Sequence, residues 1–147
     1  MMTKRSKADF RALRESLGLT QTDLAIELGV QPQTVKKWEA MNHPYSPPES
    51  AWIRLDEMEA EQILATEDIV NRIIELVNRF NGDPGLIPIK YYRDQDDYNV
   101  HGRDVAPYGL INARIRAAAK ELRRRKLNVQ LLYPEEYEKL LAEAKGI

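Results

Sequence analysis

The sequence contains no cysteine among its 147 residues. It therefore has no disulfide, no thiolate metal site and no cysteine nucleophile, which fits a reducing compartment. Long apolar runs are also missing, because no stretch approaches the roughly 20 residues that a membrane helix needs. The sequence begins Met-Met-Thr-Lys-Arg, and no apolar stretch follows as a signal peptide would require. We therefore expect a cytoplasmic protein that does not enter a membrane.

Aromatic residues are scarce at 7%, and the net charge at pH 7 is only -1. Hydrophobic residues at 43% and charged residues at 31% still indicate a folded globular protein. A balanced charge is unusual for a protein that binds nucleic acid, because phosphate attracts cations. The balance hides a gradient, since residues 1–37 hold 7 Lys and Arg against 4 Asp and Glu, whereas residues 38–61 hold 1 against 6. If the protein binds nucleic acid, the acidic segment should therefore point away from it.

Residues 7–17 are predicted to form a first helix. Phe10, Leu13 and Leu17 recur at helical spacing and give this segment one apolar stripe. Gly18 follows, and glycine readily takes the left-handed conformation at which many helices end.

A second helix is predicted over residues 21–28, and its start is the best marked in the sequence. The hydroxyl of Thr20 can accept a hydrogen bond from the first turn, and Asp23 can return one to the backbone of Thr20. Gly29 supplies the left-handed residue at which this helix should stop.

A third helix is predicted to begin at Pro32, because proline at the first helical position loses no hydrogen bond. In a helix that begins at Pro32, Val35 and Trp38 lie on one side, which we expect to face the core. The outward positions are then Gln33, Lys36 and Lys37.

Residues 20–39 follow the pattern Thr-Gln-x-x-Leu-Ala-x-x-Leu-Gly-Val-x-x-x-Thr-Val-x-x-Trp-Glu. This pattern resembles the Cro/XRE family of helix-turn-helix regulators, and the resemblance covers roughly residues 9–58. It implies a lambda-repressor-like helical domain that binds double-stranded DNA, which we assign to residues 1–60.

The resemblance also implies DNA contacts from the starts of the second and third helices. Gln21 would touch a phosphate, while the third helix would enter the major groove. Base contacts are implied for Gln31, Gln33 and Thr34, with Lys36 and Lys37 on bases or backbone. The chemistry agrees, because Gln can bond bidentately to adenine and Lys can reach the acceptors of guanine.

The remaining sequence predicts a mainly α protein with a small α+β region at residues 61–147. A proline-rich loop at 41–48 precedes a long helical stretch that could be one helix or two. A turn at 81–85 follows, and residues 93–105 read as polar and irregular. Short strands are predicted at 86–92 and 129–133, and helices at 107–126 and 134–145. The layout resembles that of anti-CRISPR-associated autorepressors and related small phage or bacterial regulators, which implies that this region dimerises the protein. We expect the dimer surface on residues 52–80 and 86–133.

Two charged clusters admit alternative interpretations. Asp94 and Asp96 fit the first positions of a calcium loop, but Asn99 and Val105 stand where the loop needs glycine and glutamate. A solvated polar loop is therefore favoured, and no metal or cofactor is expected. The basic run at 123–126 is better explained as a solvated helix end than as a phosphate contact. The pair Tyr91 and Tyr92 is better explained by packing than by base stacking.

We therefore expect a non-enzymatic, sequence-specific transcriptional regulator that acts as a repressor or autorepressor. It would act as a homodimer on a pseudo-palindromic operator, because one helix-turn-helix reads only a few base pairs. An alternative is an antitoxin-like DNA-binding protein that neutralises a partner enzyme. A third hypothesis, a metal-dependent hydrolase, depends only on the acidic cluster at 94–104.

Overall fold

The computed structural model describes residues 4–81 and 84–146. Within these ranges the chain forms seven helices and one two-stranded sheet, and it is 65% helical. The mainly helical class predicted from the sequence is therefore confirmed, together with the small α+β region that follows the N-terminal helices.

The elements follow one another along the chain with short connections. They are α1 (Lys7–Ser16), α2 (Gln21–Leu28), α3 (Pro32–Glu39), α4 (Glu49–Arg79), β1 (Leu86–Lys90), α5 (Gln95–His101), α6 (Tyr108–Arg124), β2 (Asn128–Leu132) and α7 (Pro134–Ala144). The turn predicted at residues 81–85 includes Gly82 and Asp83, which lie outside the described residues.

The chain divides into two compact units, Met1–Ile63 and Leu64–Ile147. We call these the N-terminal unit and the C-terminal unit. The question whether the long helical stretch is one helix or two is resolved, because α4 is a single helix of 31 residues. No helix in the described ranges is both long and apolar enough to cross a membrane.

The core of the N-terminal unit is centred on Phe10, which is fully buried. Its ring meets Trp38 and Trp52 edge-on, with centroids 6.0 and 5.1 Å away. Each large apolar side chain buried here contributes roughly 1.5–3 kcal/mol. The other large side chains buried in full are Leu17, Leu24, Val35 and Leu55.

The C-terminal unit is built around the pairing of β1 with β2. The two strands run parallel, from the pair Leu86 and Asn128 to the pair Lys90 and Leu132, and α5 and α6 lie between them in sequence. The main core cluster consists of Val70, Val77, Ile87, Ala118, Ala119, Leu122 and Val129.

Pro88 lies in the middle of β1, where a proline is tolerated only at an edge. The N–H of Tyr91 donates to the carbonyl of Leu132, toward β2. Successive residues of a strand turn their N–H groups to opposite sides, so the ring nitrogen of Pro88 faces away from β2. The proline therefore costs no ladder hydrogen bond, and it blunts the outer edge of β1.

The prediction of an irregular segment at residues 93–105 is wrong, because Gln95–His101 forms α5. The side chain of Asp94 caps this helix by accepting a hydrogen bond from the backbone N–H of Asp97 at 2.8 Å. Tyr98 anchors it, since the buried ring packs edge-on against Tyr92 at 4.7 Å. So short a helix offers too few inward positions for an apolar period to show in the sequence.

Candidate nucleic-acid interface

The start of α2 is fixed by the reciprocal bonds predicted from the sequence. The backbone N–H of Asp23 donates to the hydroxyl of Thr20 at 3.0 Å, and the N–H of Thr20 donates to the Asp23 carboxylate at 2.9 Å. Such a cap contributes about 1 kcal/mol. Ser6 and Asp9 form the same capping box at the start of α1, which the sequence analysis missed.

The turn between α2 and α3 depends on Gly29, whose φ of 69° is left-handed. A residue with a Cβ is strained in this conformation. The N–H of Val30 then reaches back to the carbonyl of Ala25 at 3.0 Å, and α3 begins with Pro32 at its first turn. This tight connection sets the direction in which α3 leaves α2.

One side of α3 is buried and the other is exposed to solvent. Val35 and Trp38 face the core. The exposed polar positions are Gln33, Lys36 and Lys37, together with the N-cap residue Gln31. Thr34 is half-buried between the two faces. Gln31 makes no side-chain capping bond, so its amide is not used at the helix start.

A buried ion pair holds the end of α3 against α1. The Arg14 guanidinium donates two hydrogen bonds to the Glu39 carboxylate, at 2.7 and 2.8 Å, and a third to the carbonyl of Leu19 at 2.8 Å. The two charged side chains are only 9% and 4% exposed. Glu39 raises the pKa of Arg14 above its usual value, chiefly by accepting these hydrogen bonds.

Sequence reasoning missed this pair, although position 14 lies on the apolar stripe of α1, one turn after Phe10. Gln21 belongs to the same network, since its side-chain amide donates to Glu39 at 3.2 Å. The amide of Gln21 is thus oriented at the first position of α2. Each amide carries two N–H donors, so one is left for a further acceptor.

Lys7 stabilises the other side of the same helix end. Its ammonium group donates to the backbone carbonyls of Lys37 and Tyr45, at 3.0 and 2.5 Å. A cation at the C-terminal end of a helix is favourable because the last carbonyls are partly negative. Lys7 therefore joins α3 to the proline-rich loop that follows it.

The acidic residues of the N-terminal unit are largely paired within the unit. Arg54 contacts three carboxylates, those of Glu27, Glu57 and Glu61, at 2.7–3.1 Å. Arg5 makes a bidentate pair with Asp56. By contrast, the ammonium groups of Lys36 and Lys37 make no ion pair with any described residue. The exposed face of α3 thus combines free positive charge with free amide groups.

The basic run at residues 123–126 is arranged differently. Arg124 and Arg125 both contact the Glu121 carboxylate, at 2.7 and 3.0 Å, while Arg123 donates to the carbonyl of Val129. The two arginines lower the pKa of Glu121 to about 2, mainly through the hydrogen bonds from Arg124 and then Arg125.

The tyrosine pair also has structural partners. Tyr92 is buried in a small cluster with Tyr98 and Ile115. The hydroxyl of Tyr91 accepts a hydrogen bond from Arg116 at 2.7 Å. Neither ring presents a free platform for a nucleobase.

The acidic cluster does not have the form of a calcium loop. Asp96 and Asp97 lie in the first turn of α5, and Asp94 caps that helix. A calcium loop instead directs alternate residues of an extended turn at one ion. The side chains of Asp97 and His101 nevertheless share one side of α5 and meet Glu135 from α7.

Comparison with known proteins agrees with the N-terminal geometry. Residues 10–55 match the model of the helix-turn-helix family of Cro/C1 type, and the rest of the chain lies outside this match. No curated protein matches the chain. The matched segment contains α1 from Phe10 onward, all of α2 and α3, and the buried ion pair between Arg14 and Glu39. These findings identify residues 10–55 as a Cro/C1-type helix-turn-helix domain, which supports the role of a DNA-binding transcriptional regulator.

Proposed function

We propose that the protein represses transcription by binding a pseudo-palindromic operator as a homodimer, with one α3 in the major groove of each half-site. The exposed face of α3 carries this proposal. It offers two glutamine amides and two unpaired ammonium groups on a helix whose opposite side is buried. A major groove is wide enough to admit one such helix.

We assign base reading to Gln31, Gln33 and Thr34, near the start of α3. A glutamine can bond the N6 and N7 atoms of adenine together, and a good bidentate pair discriminates by about 1–3 kcal/mol. Thr34 is half-buried, so it would contact only a base that approaches α3 closely.

We assign phosphate or guanine contacts to Lys36 and Lys37, and a phosphate contact to Gln21. Gln21 lies at the start of α2, where unpaired backbone N–H groups favour an anion. Its hydrogen bond to Glu39 fixes the orientation of the amide before DNA arrives.

The dimer is proposed because a specific site must exceed non-specific binding by about 4–10 kcal/mol. One α3 reads too few base pairs to supply this difference. The C-terminal unit exposes apolar side chains that a partner could cover. These are Leu64, Leu76, Phe80 and Leu86, with exposures of 67%, 44%, 58% and 40%.

Footprinting of the purified protein on the DNA that flanks its own coding sequence tests this proposal. Two protected half-sites about 34 Å apart are expected, that is, one helical turn. Sedimentation should give a dimer, and a promoter fusion should lose expression when the protein is present. Protection of a single half-site by a monomer would overturn the dimer, and absence of any protected sequence would overturn operator recognition.

A matched pair of variants tests the dimer surface. Leu76→Lys with Phe80→Lys places two charges on this apolar surface, one in the last turn of α4 and one just after it. The variant should be a monomer with weakened operator binding. Val100→Lys with Val105→Lys is the control, since these valines are 75% and 95% exposed and are not among the four side chains proposed here as the surface. Equal loss of the dimer in both variants would contradict the assignment.

A further inference from the structure

Three side chains with metal-ligand chemistry meet where α5 approaches the first turn of α7. Asp97 and His101 are four residues apart on α5, and Glu135 comes from α7. The Nε2 atom of His101 lies 3.9 Å from a carboxylate oxygen of Asp97 and 3.9 Å from one of Glu135. The three ligand atoms all lie within 4.8 Å of one another. The distance along the chain between α5 and α7 hides this group from sequence analysis.

Asp97 is held firmly in this group. Its side chain is only 3% exposed, and one carboxylate oxygen accepts the backbone N–H of Arg93 at 2.9 Å. A buried carboxylate needs such partners, because burial without them costs several kcal/mol. The second oxygen, Oδ1, is the one that faces His101.

A cation of the protein itself already lies among the three side chains. The Nη2 atom of Arg93 is 2.7 Å from Glu135 and 3.4 Å from the Oδ1 atom of Asp97. Hydrogen bonding to Asp97, followed by the charge of Glu135, raises the pKa of Arg93 above its usual value. The Asp97 and Glu135 carboxylates therefore both bind the same positively charged nitrogen, which lies between them.

One guanidinium does not neutralise this group. Two carboxylates carry two negative charges and the arginine carries one positive charge, whereas a divalent cation would balance both. The Arg93 side chain is 48% exposed, so a metal ion could displace it into solvent. Its guanidinium carbon also lies 5.5 Å from the centre of the Tyr133 ring, a contact that it could keep after displacement. The nearby Lys90 does not supply the missing charge, because its ammonium nitrogen already pairs with the Glu138 carboxylate at 3.2 Å.

We propose that Asp97, His101 and Glu135 bind a divalent transition-metal ion of the zinc type, which replaces the Arg93 guanidinium and joins α5 to α7. One imidazole and two carboxylates suit zinc, whereas calcium and magnesium prefer oxygen ligands alone. Bond lengths near 2.1 Å place tetrahedral ligand atoms roughly 3.4 Å apart. The observed spacings, two of 3.9 Å and none above 4.8 Å, require a closure of about 0.5–1.4 Å relative to this value. The partly exposed side chains of His101 and Glu135 can provide it by moving toward the buried Asp97. A water molecule would complete the coordination.

The test is titration of zinc chloride into tag-free, chelator-treated protein, followed by calorimetry and thermal melting. One ion per chain is expected, with a rise in the melting temperature. His101→Ala should weaken binding at least about tenfold, because it removes a ligand. The matched control is His43→Ala, which removes the other histidine of the chain and should leave the affinity unchanged.

Arg93→Ala separates this site from adventitious binding. Loss of the competing guanidinium should tighten zinc binding several-fold, and magnesium should not compete. Cobalt in place of zinc should show the visible absorption of a nitrogen and oxygen site in the wild type and not in His101→Ala. Any of three results would overturn the proposal. They are a lack of stoichiometric zinc binding, an equal loss of zinc affinity in His101→Ala and His43→Ala, and an unchanged zinc affinity in Arg93→Ala. The experiment uses no DNA, so its outcome is independent of operator binding.

Discussion

The two basic patches of the molecule use their charges in different ways. In α3 the ammonium groups of Lys36 and Lys37 are exposed and make no ion pair with a described residue. At the end of α6, Arg124 and Arg125 share one carboxylate, and Arg123 stabilises a strand carbonyl. The larger patch is therefore partly neutralised by its own helix, while the smaller one is left for an external anion. The number of basic residues in a run does not by itself identify a nucleic-acid surface.

The largest effect is expected from the ion pair that orients α3. Glu39→Ala leaves the buried Arg14 guanidinium uncompensated and should lower the free energy of unfolding of the N-terminal unit by about 3 kcal/mol. Tryptophan fluorescence in urea measures this, because both tryptophans, Trp38 and Trp52, belong to that unit. Glu15→Ala, at the exposed pair with Arg11, should cost less than about 1 kcal/mol. If Glu39→Ala and Glu15→Ala lower the free energy of unfolding by the same amount, the buried pair does not hold α3 in place.

The next largest effect is expected when two charges are removed from either basic patch. Lys36→Ala with Lys37→Ala should weaken operator binding roughly tenfold or more. If both lysines contact phosphate, it should also flatten the slope of log affinity against log salt by about 2 per protomer, and so by about 4 for the proposed dimer. Gel shifts over a salt series measure both quantities. Arg124→Ala with Arg125→Ala removes the same two charges and should change neither. An equal flattening in both double variants would mean that the patches are equivalent.

A smaller effect is expected when the basic residues at the end of α6 lose the carboxylate that neutralises them. Glu121→Gln removes the carboxylate that Arg124 and Arg125 share, so two cations become available to phosphate. Non-specific affinity for random-sequence DNA at low salt should rise a few-fold. Glu143→Gln, at an exposed position of α7, removes the same charge elsewhere and serves as the control. A rise of the same size in both variants would reflect net charge alone.

The smallest effect concerns the titration of Glu121. Its folded-state pKa of about 2 lies below the ordinary 4.5, so its ionised form is favoured by folding. The resulting stabilisation is fully present above pH 4.5 and is lost as the pH falls toward 2. Carbon-13 NMR of the carboxylate should report this low pKa, and Arg124→Ala with Arg125→Ala should move it upward. An unchanged pKa in that variant would contradict the neutralisation of the second patch.

Local sequence signals explain why the N-terminal elements could be predicted. Thr20 with Asp23, the left-handed Gly29 and the initial Pro32 each act within a few residues, and all have the predicted geometry. The burial of Val35 and Trp38 likewise follows from the helical period.

The features that sequence analysis missed depend on contacts between distant residues. Arg14 reads as an ordinary surface cation until Glu39 is placed beside it. Residues 93–105 read as irregular because α5 is stabilised by Tyr92 and Tyr98 rather than by an apolar period of its own. The approach of Glu135 to Asp97 and His101 depends on the packing of α7, which no local pattern encodes.

The most direct test of the account is a footprint with a variant that carries alanine at the four exposed glutamine and lysine positions of the N-cap and α3, which are Gln31, Gln33, Lys36 and Lys37. Circular dichroism and tryptophan fluorescence should match the wild type, because these side chains contribute nothing to the core. The account predicts a folded protein that no longer protects its operator. A folded variant that protects the same sequence with unchanged affinity would contradict the assignment of α3 as the DNA-reading helix.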